Sequence, residues 1–198
     1  MILLCLAIKN NTAYTVTDNT GVVVLTGTLQ AYRYTEMNTT SVNYYTIKTS
    51  LPVQVNRFAL SGDVDGASLG DNNMLELHPT ALGVSVYTFA TMGPKNGSYV
   101  SFLGLVLATA DTANVILDGS PLIGATWKIF FNSDFSGTYI RLPDGQTFHR
   151  VSLTGGGTFL AYLEQVAYWE GGVTSLLETT ITAQDPTSKI VILFNPAN

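Results

Sequence analysis

Cysteine and histidine are scarce in this sequence, with one Cys and two His among 198 residues. A single thiol, Cys5, cannot form an intrachain disulfide or a cysteine-based zinc site. His78 and His149 do not form a His-x-His or His-x-x-x-His pair, the spacings expected of a histidine-based zinc or iron site. The sequence therefore predicts no transition-metal centre, and Cys5 is expected to be a small buried hydrophobic residue.

Charge is also sparse, because charged residues make up only 12% of the chain. The formal net charge is -5, and the nine Lys and Arg are scattered rather than clustered. A protein without a basic field has little attraction for phosphates, so nucleic-acid binding is not expected. The low charge implies a surface of neutral Thr, Ser, Asn and Gly, which is typical of secreted or particle-forming β-proteins.

The sequence has no long hydrophobic run. Its longest, Met1 to Ile8, is much shorter than the roughly 20 residues that a membrane-spanning helix needs. It also lacks the basic flank and the small-residue cleavage site of a signal peptide. We therefore expect no membrane insertion.

A helical period of 3.6 residues is not maintained over three turns anywhere, whereas apolar and polar residues alternate throughout. This alternation predicts an all-β protein with antiparallel β-sandwich architecture, in two similar modules or lobes. Glycines in the polar loop 61–73 favour a boundary there. We predict an N-terminal β module at 1–62, a linker loop at 63–83, and a C-terminal β-sandwich module with a terminal strand tail at 84–198.

The segment Asn114–Leu122, NVILDGSPL, carries the carboxylate that most resembles a catalytic or metal-binding group. Asp-Gly between two apolar stretches is, however, a strong signal for a tight turn. We therefore interpret Asp118 as a turn residue, with Pro121 preventing the strand ladder from continuing unchanged. No pair of carboxylates stands out by its spacing. We predict no catalytic residues and no enzymatic activity.

Two glycine-containing loops offer weaker signals for ligands. The loop GDVDGASLGDNNMLE contains Asp63, Asp65, Asp71 and Glu76, but its order does not match an EF-hand. Calcium is the one cofactor it suggests, and a solvated linker is the preferred interpretation. The run TGGGT at Thr154–Thr158 lacks the Lys and the helix of a phosphate-binding loop, so a hairpin connection is expected there.

Surface features suggest binding rather than catalysis. Asn-x-Ser/Thr sequons make Asn10, Asn38 and Asn96 candidates for glycosylation. Most aromatic residues fall on predicted strands and are expected in the core. The pairs Tyr32 and Tyr34, and Tyr168 and Trp169, are the candidates for an exposed ligand surface.

Eight segments, taken in order, resemble the IgGFc-binding-type N-terminal domain of mucin-like IgG Fc-binding proteins and related extracellular surface proteins. They cover roughly residues 9–171 and are KNNTAYTVTDNTG, YYTIKTSLPVQVNRFA, LGDNNMLELHP, YTFAT, YVSFLGLVLAT, NVILDGSPL, WKIFFNSDFSGTYIRLPDGQTFHRVSL and FLAYLE. The resemblance implies a non-enzymatic extracellular module that acts in adhesion or in a surface layer, and it transfers no site residues.

Two functions are consistent with these observations. The first is an extracellular or surface-displayed interaction module that binds a protein or a glycan through its loops, a sheet face or edge strands. The second is a structural protein of a virus particle or filament, in which β-sandwiches pack into a homo-oligomeric assembly. The apolar tail Thr187–Asn198 is a candidate for an exchanged strand in such an assembly.

Overall fold

The computed structural model describes residues 2–39, 44–59, 73–91, 100–166, 171–176 and 190–192. Two short 3-10 helices, Thr80–Leu82 and Thr109–Asn114, accompany the strands. The strands in chain order are β1 Ile2–Ala7, β2 Thr12–Asp18, β3 Val23–Leu29, β4 Tyr34–Asn38, β5 Tyr45–Thr49, β6 Val53–Ala59, β7 Asn73–Leu77, β8 Val86–Ala90, β9 Val100–Ala108, β10 Val115–Leu117, β11 Ser120–Pro121, β12 Lys128–Ile129, β13 Phe135–Arg141, β14 Phe148–Leu153, β15 Phe159–Val166, β16 Gly171–Leu176 and β17 Ile190–Ile192.

The strands form four antiparallel sheets. Sheet I has the order β4-β1-β6-β7, and sheet II has the order β17-β5-β2-β3. Sheet III has the order β12-β13-β9-β15-β16, and sheet IV has the order β11-β10-β14-β8. The fold is therefore all-β and sandwich-like, as the alternating pattern predicts.

Sheet III is buried on both of its faces. Leu103, Leu105 and Leu107 on one face of β9 belong to a core shared with sheet IV. Val106 on the opposite face of β9 belongs to a second core, which includes Leu3 of sheet I and Ile47 of sheet II. Two buried faces explain why β9 reads as an almost continuous apolar run rather than as an alternating one.

A buried ion pair lies in the second core, between sheets I and III. Arg57 on β6 donates a hydrogen bond from Nη2 to Glu164 Oε1 on β15 at 2.8 Å, and both side chains are almost completely buried. Arg57 Nη1 also donates to the hydroxyl of Tyr139 at 3.3 Å. The Tyr139 ring crosses sheet III over Gly104, where a Cβ atom would lie only 3.1 Å from that ring. The glycine thus leaves the space that lets Tyr139 reach Arg57.

The predicted alternation is confirmed as strands over most of the described chain, and the predicted strand tail Thr187–Asn198 contains β17. β7 was missed, because Asn73–Leu77 falls in the predicted linker 63–83, yet it pairs with β6 in sheet I. Residues from 1–62 and from 84–198 share the second core. The division of the chain into two modules stays a prediction.

Two local predictions have different outcomes. Pro121 pairs with Ile116 at the edge of sheet IV, where a residue without an N–H is tolerated, and it is the last residue of β11, so the strand does not continue unchanged beyond it, as predicted. The TGGGT run is not a hairpin connection, since it joins β14 of sheet IV to β15 of sheet III. It is an arch between two stacked sheets, which alternation within each strand cannot distinguish from a hairpin.

Candidate interaction surface

The turn between β3 and β4 holds Tyr32 in an unusual conformation. Tyr32 has a φ of 62°, and its side chain is 82% exposed. Arg33 N donates to Gln30 O at 3.1 Å, so Tyr32 occupies the third position of a four-residue turn. A positive φ at this position favours Gly or Asn, and a bulky residue there is strained. Strained residues concentrate at functional sites, which makes Tyr32 the leading candidate for a binding residue.

The backbone of this turn is firmly anchored. Tyr32 N donates to Ala7 O at 2.8 Å, and Ala7 N donates to Arg33 O at 2.9 Å. Ala31 N donates to the side-chain Oδ1 of Asn10 at 2.9 Å. The N–H groups of all three residues 31–33 therefore have partners, and these hydrogen bonds fix the backbone that carries the exposed Tyr32 ring.

Other exposed side chains come from positions close to this turn in the chain and in the β1–β4 ladder. Tyr34 is the first residue of β4 and pairs with Leu6, and Ile8 follows the end of β1; their side chains are 59% and 51% exposed. Gln30 donates from Nε2 to Asn11 Oδ1 at 3.1 Å on the neighbouring loop. We call the surface formed by Ile8, Tyr32 and Tyr34, with the amides of Asn10, Asn11 and Gln30, the tyrosine corner. The name refers to this surface and not to the hydrogen-bonding motif of the same name in Greek-key β-sandwiches. Lys9 and Arg33 are also exposed here, so two of the nine cations of the chain flank the corner.

The other predicted surface residues fall in different places. Asn38 is exposed at the end of β4, and Asn10 is exposed beside the tyrosine corner. A glycan on Asn10 would therefore cover part of the same surface that Tyr32 presents. Asn96, Tyr168 and Trp169 lie outside the described residues.

The structure gives Asp118 a second role in addition to its turn. The φ angles of Asp118 and Gly119 are 52° and 81°, as a tight two-residue hairpin turn requires, so the turn interpretation is confirmed. Asp118 Oδ2 also lies 2.7 Å from His149 Nδ1, and Asp118 Oδ1 accepts the backbone N–H of Arg150 at 2.8 Å. Burial opposes ionisation, but the hydrogen bonds from Arg150 and His149 outweigh it and lower the pKa of Asp118.

An Asp–His pair is part of many catalytic relays, but His149 is enclosed. Its side chain is 3% exposed, and its ring lies 5.4 Å from the ring of Phe89 at an angle of 30°. Nε2 of His149 is buried and has no hydrogen-bond partner among the described residues. A substrate would have to displace packed side chains to reach this nitrogen. The pair is better explained as a link from the β10–β11 turn to strand β14.

We expect Asp118→Asn to lower the free energy of unfolding by about 1–2 kcal/mol, because one carboxylate oxygen is replaced by a donor that cannot serve both partners. The lowered pKa means that the charged form stabilises the folded state above the usual value near 3.8, and that this contribution is lost as the pH falls through the folded-state pKa. The deficit of the variant should therefore be present at about pH 5 and shrink below about pH 4. Urea unfolding of the wild type and the variant at several pH values measures this deficit in the free energy of unfolding. A deficit that stays constant down to pH 2.5 would contradict a stabilising role for the charged Asp118.

Metal binding finds no support in the described part of the chain, which contains no group of three or more His, Cys, Asp or Glu side chains arranged around a common point. Glu76 lies on β7, while Asp63, Asp65 and Asp71 lie outside the described residues. Cys5 is buried as predicted, and burial raises the pKa of its thiol to about 11. Such a thiol stays protonated and unreactive at neutral pH.

The two edges of sheet II are the remaining candidate surfaces. β3 forms one edge; Val23 and Val24 at its start, and Val22 just before it, are all more than 40% exposed. β17 forms the other edge and pairs with β5. Edge strands present unpaired backbone groups and can pair with another chain.

None of the helices in the described ranges has the length and apolar character needed to cross a membrane. No protein-family model matches the chain. Searches of curated proteins and of solved structures also find no match. The resemblance to the IgGFc-binding-type domain accordingly stays a prediction.

Proposed function

We propose that this protein is a non-enzymatic interaction module that binds a protein or glycan partner through the tyrosine corner. The observation that carries the proposal is the conformation of Tyr32, which combines a positive φ with 82% exposure. A Gly at this position would remove the strain, and an exposed ring adds little to the core. A residue that costs stability and remains on the surface is best explained by binding.

The chemistry of the corner suits sugars and protein surfaces. Tyrosine rings offer a large rigid contact area with few rotatable bonds, and amides such as Asn11 and Gln30 supply adaptable hydrogen bonds. Lys9 and Arg33 place two positive charges at the corner, and these charges complement an acidic group on a partner at short range. Acidic glycans and acidic protein segments are therefore the first ligands to test.

The enclosure of His149 supports a non-enzymatic function. A general base must come within hydrogen-bond reach of the proton that it removes. His149 is packed against Phe89, and its Nδ1 is already engaged by Asp118. The dyad that could suggest hydrolysis thus has a structural explanation in the contacts that it makes.

We expect Tyr32→Gly to stabilise the fold by about 1 kcal/mol while abolishing ligand binding, because Gly adopts a positive φ without strain and provides no ring. Tyr34→Ala should weaken binding without this gain in stability. The measurements are urea unfolding and binding to arrays of acidic and neutral glycans and of immunoglobulins. Binding by Tyr32→Gly at the wild-type level would contradict the proposal.

Phe148 provides a matched control, because it is also 82% exposed but lies on β14 of sheet IV. Phe148→Ala should leave binding unchanged. If Phe148→Ala and Tyr32→Gly reduce binding equally, the loss reflects general surface stickiness and the tyrosine corner is not the site.

A second candidate function is a structural protein of a virus particle or filament. The pairing of β17 with β5 supports it, since the edge of β5 that accepts Ile190–Ile192 within the chain can accept the same strand from another copy. The two functions imply different locations: extracellular or surface-displayed for the module, and within the virion for the structural protein. Light scattering at rising protein concentration should show small discrete species for the first and large assemblies for the second.

A further inference from the structure

We propose that strand β17 exchanges between copies of this protein, so that Ile190–Ile192 of one copy completes sheet II of another. The partner is a second copy of the chain, and the acceptor is the edge of β5. This inference concerns a different surface from the tyrosine corner and does not depend on ligand binding there.

The acceptor strand is held in place without β17. On its other side β5 pairs with β2, with Val16 opposite Ile47 and Asp18 opposite Tyr45. Tyr45 and Ile47 both belong to the core shared by sheets I, II and III. The rest of sheet II therefore fixes the position of β5, and an incoming strand meets a preformed edge.

The donor strand comes from a distant part of the chain. β16 ends at Leu176 in sheet III, and β17 begins at Ile190 in sheet II. The thirteen intervening residues can reach at most roughly 45 Å when fully extended. The pairing itself covers only three residues, with Ile190 opposite Ile47 and Ile192 opposite Tyr45.

Pairing within one chain and pairing between two chains use the same backbone groups. The hydrogen bonds between β17 and β5 have the same geometry whichever copy supplies the donor. The choice between the two arrangements is then set by the tether and by protein concentration, as in other cases of exchanged elements. The run Ile190–Phe194 contains no charged residue that would disfavour association.

The opposite edge of sheet II is a poorer acceptor. The ladder between β2 and β3 shifts register between Val16 and Thr17, so β3 is irregular near Val24. Such a bulge bends a strand and hinders continuous backbone pairing with an added strand. Exchange at β5 is therefore favoured over addition at β3.

A cross-link between two different variants tests the exchange. One copy carries Thr46→Cys and the other carries Val191→Cys, two positions that are directly opposite in the ladder. Opposed residues of an antiparallel pair have Cα atoms about 4.5–5.5 Å apart, which a disulfide can span. The two variants are unfolded together, refolded as a mixture at high concentration, and oxidised. Cys5 does not compete in the refolded protein, since it is buried and its pKa is raised to about 11.

We expect a disulfide-linked dimer in the mixture, with peptide mapping showing a bond between positions 46 and 191. Each variant refolded alone should lack this bond. Replacing Thr46→Cys by Thr49→Cys is the matched control, because position 49 lies three residues, or about 10 Å, farther along β5. That mixture should give no such dimer.

A single chain carrying both Thr46→Cys and Val191→Cys makes the result decisive. If this chain cross-links to itself at low concentration and the mixture gives no dimer, β17 pairs only within its own chain and the proposal is overturned. Failure of both cross-links would overturn it as well, because β17 would then not pair with β5. Binding by the tyrosine corner is assayed separately, so it can fail or succeed without affecting this test.

Discussion

Glu164→Gln should lower the free energy of unfolding by about 3–5 kcal/mol, the largest effect expected of any single carboxylate in the described structure. Glutamine keeps the shape and one acceptor oxygen but removes the negative charge that faces Arg57 at 2.8 Å. Arginine cannot release its proton at ordinary pH, so a positive charge would be left almost completely buried. Urea unfolding followed by fluorescence and by circular dichroism measures the loss.

The exposed pair formed by Arg141 and Asp144 provides the matched control. Nη2 of Arg141 lies 3.2 Å from Oδ1 of Asp144, but the two side chains are 61% and 56% exposed. Water and salt screen such a pair, and Asp144→Asn should therefore cost less than about 1 kcal/mol. Equal losses from the two acid-to-amide exchanges would show that the buried pair has no special role.

A double substitution separates charge from packing. Arg57 Nε and Glu164 Oε2 have no hydrogen-bond partner among the described residues, so the buried pair is incompletely satisfied. Replacing both ends by apolar residues, as in Arg57→Met with Glu164→Leu, should recover most of the stability that Glu164→Gln loses. If the double variant is no more stable than the single one, packing rather than the unpaired charge accounts for the loss.

Phe159→Ala should also destabilise the protein by about 3–5 kcal/mol, because it leaves a cavity in the core between sheets III and IV. The Phe159 ring is 2% exposed and meets the ring of Tyr87 edge-on at a centroid distance of 5.0 Å. The Tyr87 hydroxyl donates to the backbone oxygen of Phe159 at 2.8 Å. Loss of the ring therefore removes an aromatic contact as well as buried apolar area.

The same substitution at Phe148 is the comparison. Phe148 is 82% exposed, and its truncation should change stability by no more than about 0.5 kcal/mol. Both variants are measured by urea unfolding in one buffer. The assignment of Phe159 to the core would be wrong if the two Phe→Ala variants unfolded at the same urea concentration.

These two phenylalanines show how far the sequence alone can be taken. Phe148 is the first residue of β14, and Phe159 is the first residue of β15. Alternation divides β14 into two faces but does not say which face is buried. The structure places His149, Val151 and Leu153 inside, and so leaves Phe148 in solvent.

The candidate sites could be predicted to a similar extent. Tyr32 and Tyr34 were identified as surface aromatics, and both are exposed. The positive φ of Tyr32 could not be predicted, because Tyr is not a residue that signals a left-handed turn. The partnership of Asp118 with His149 was missed for another reason. Asp118 lies in the turn after β10 and His149 lies on β14, 31 positions apart, and the pairing of these two strands is not visible in the sequence.

The amino-acid sequence by itself determined the all-β class and the Asp118–Gly119 turn. These features depend on side-chain alternation and on backbone preferences, which act between near neighbours. The tertiary structure alone decided that sheet III is buried on both faces, that Arg57 faces Glu164 across 107 positions, and that β17 completes the sheet of β5. Such contacts depend on how the sheets stack and on which strand edges pair. Neither can be predicted from the local sequence, because both involve residues that are far apart in the chain.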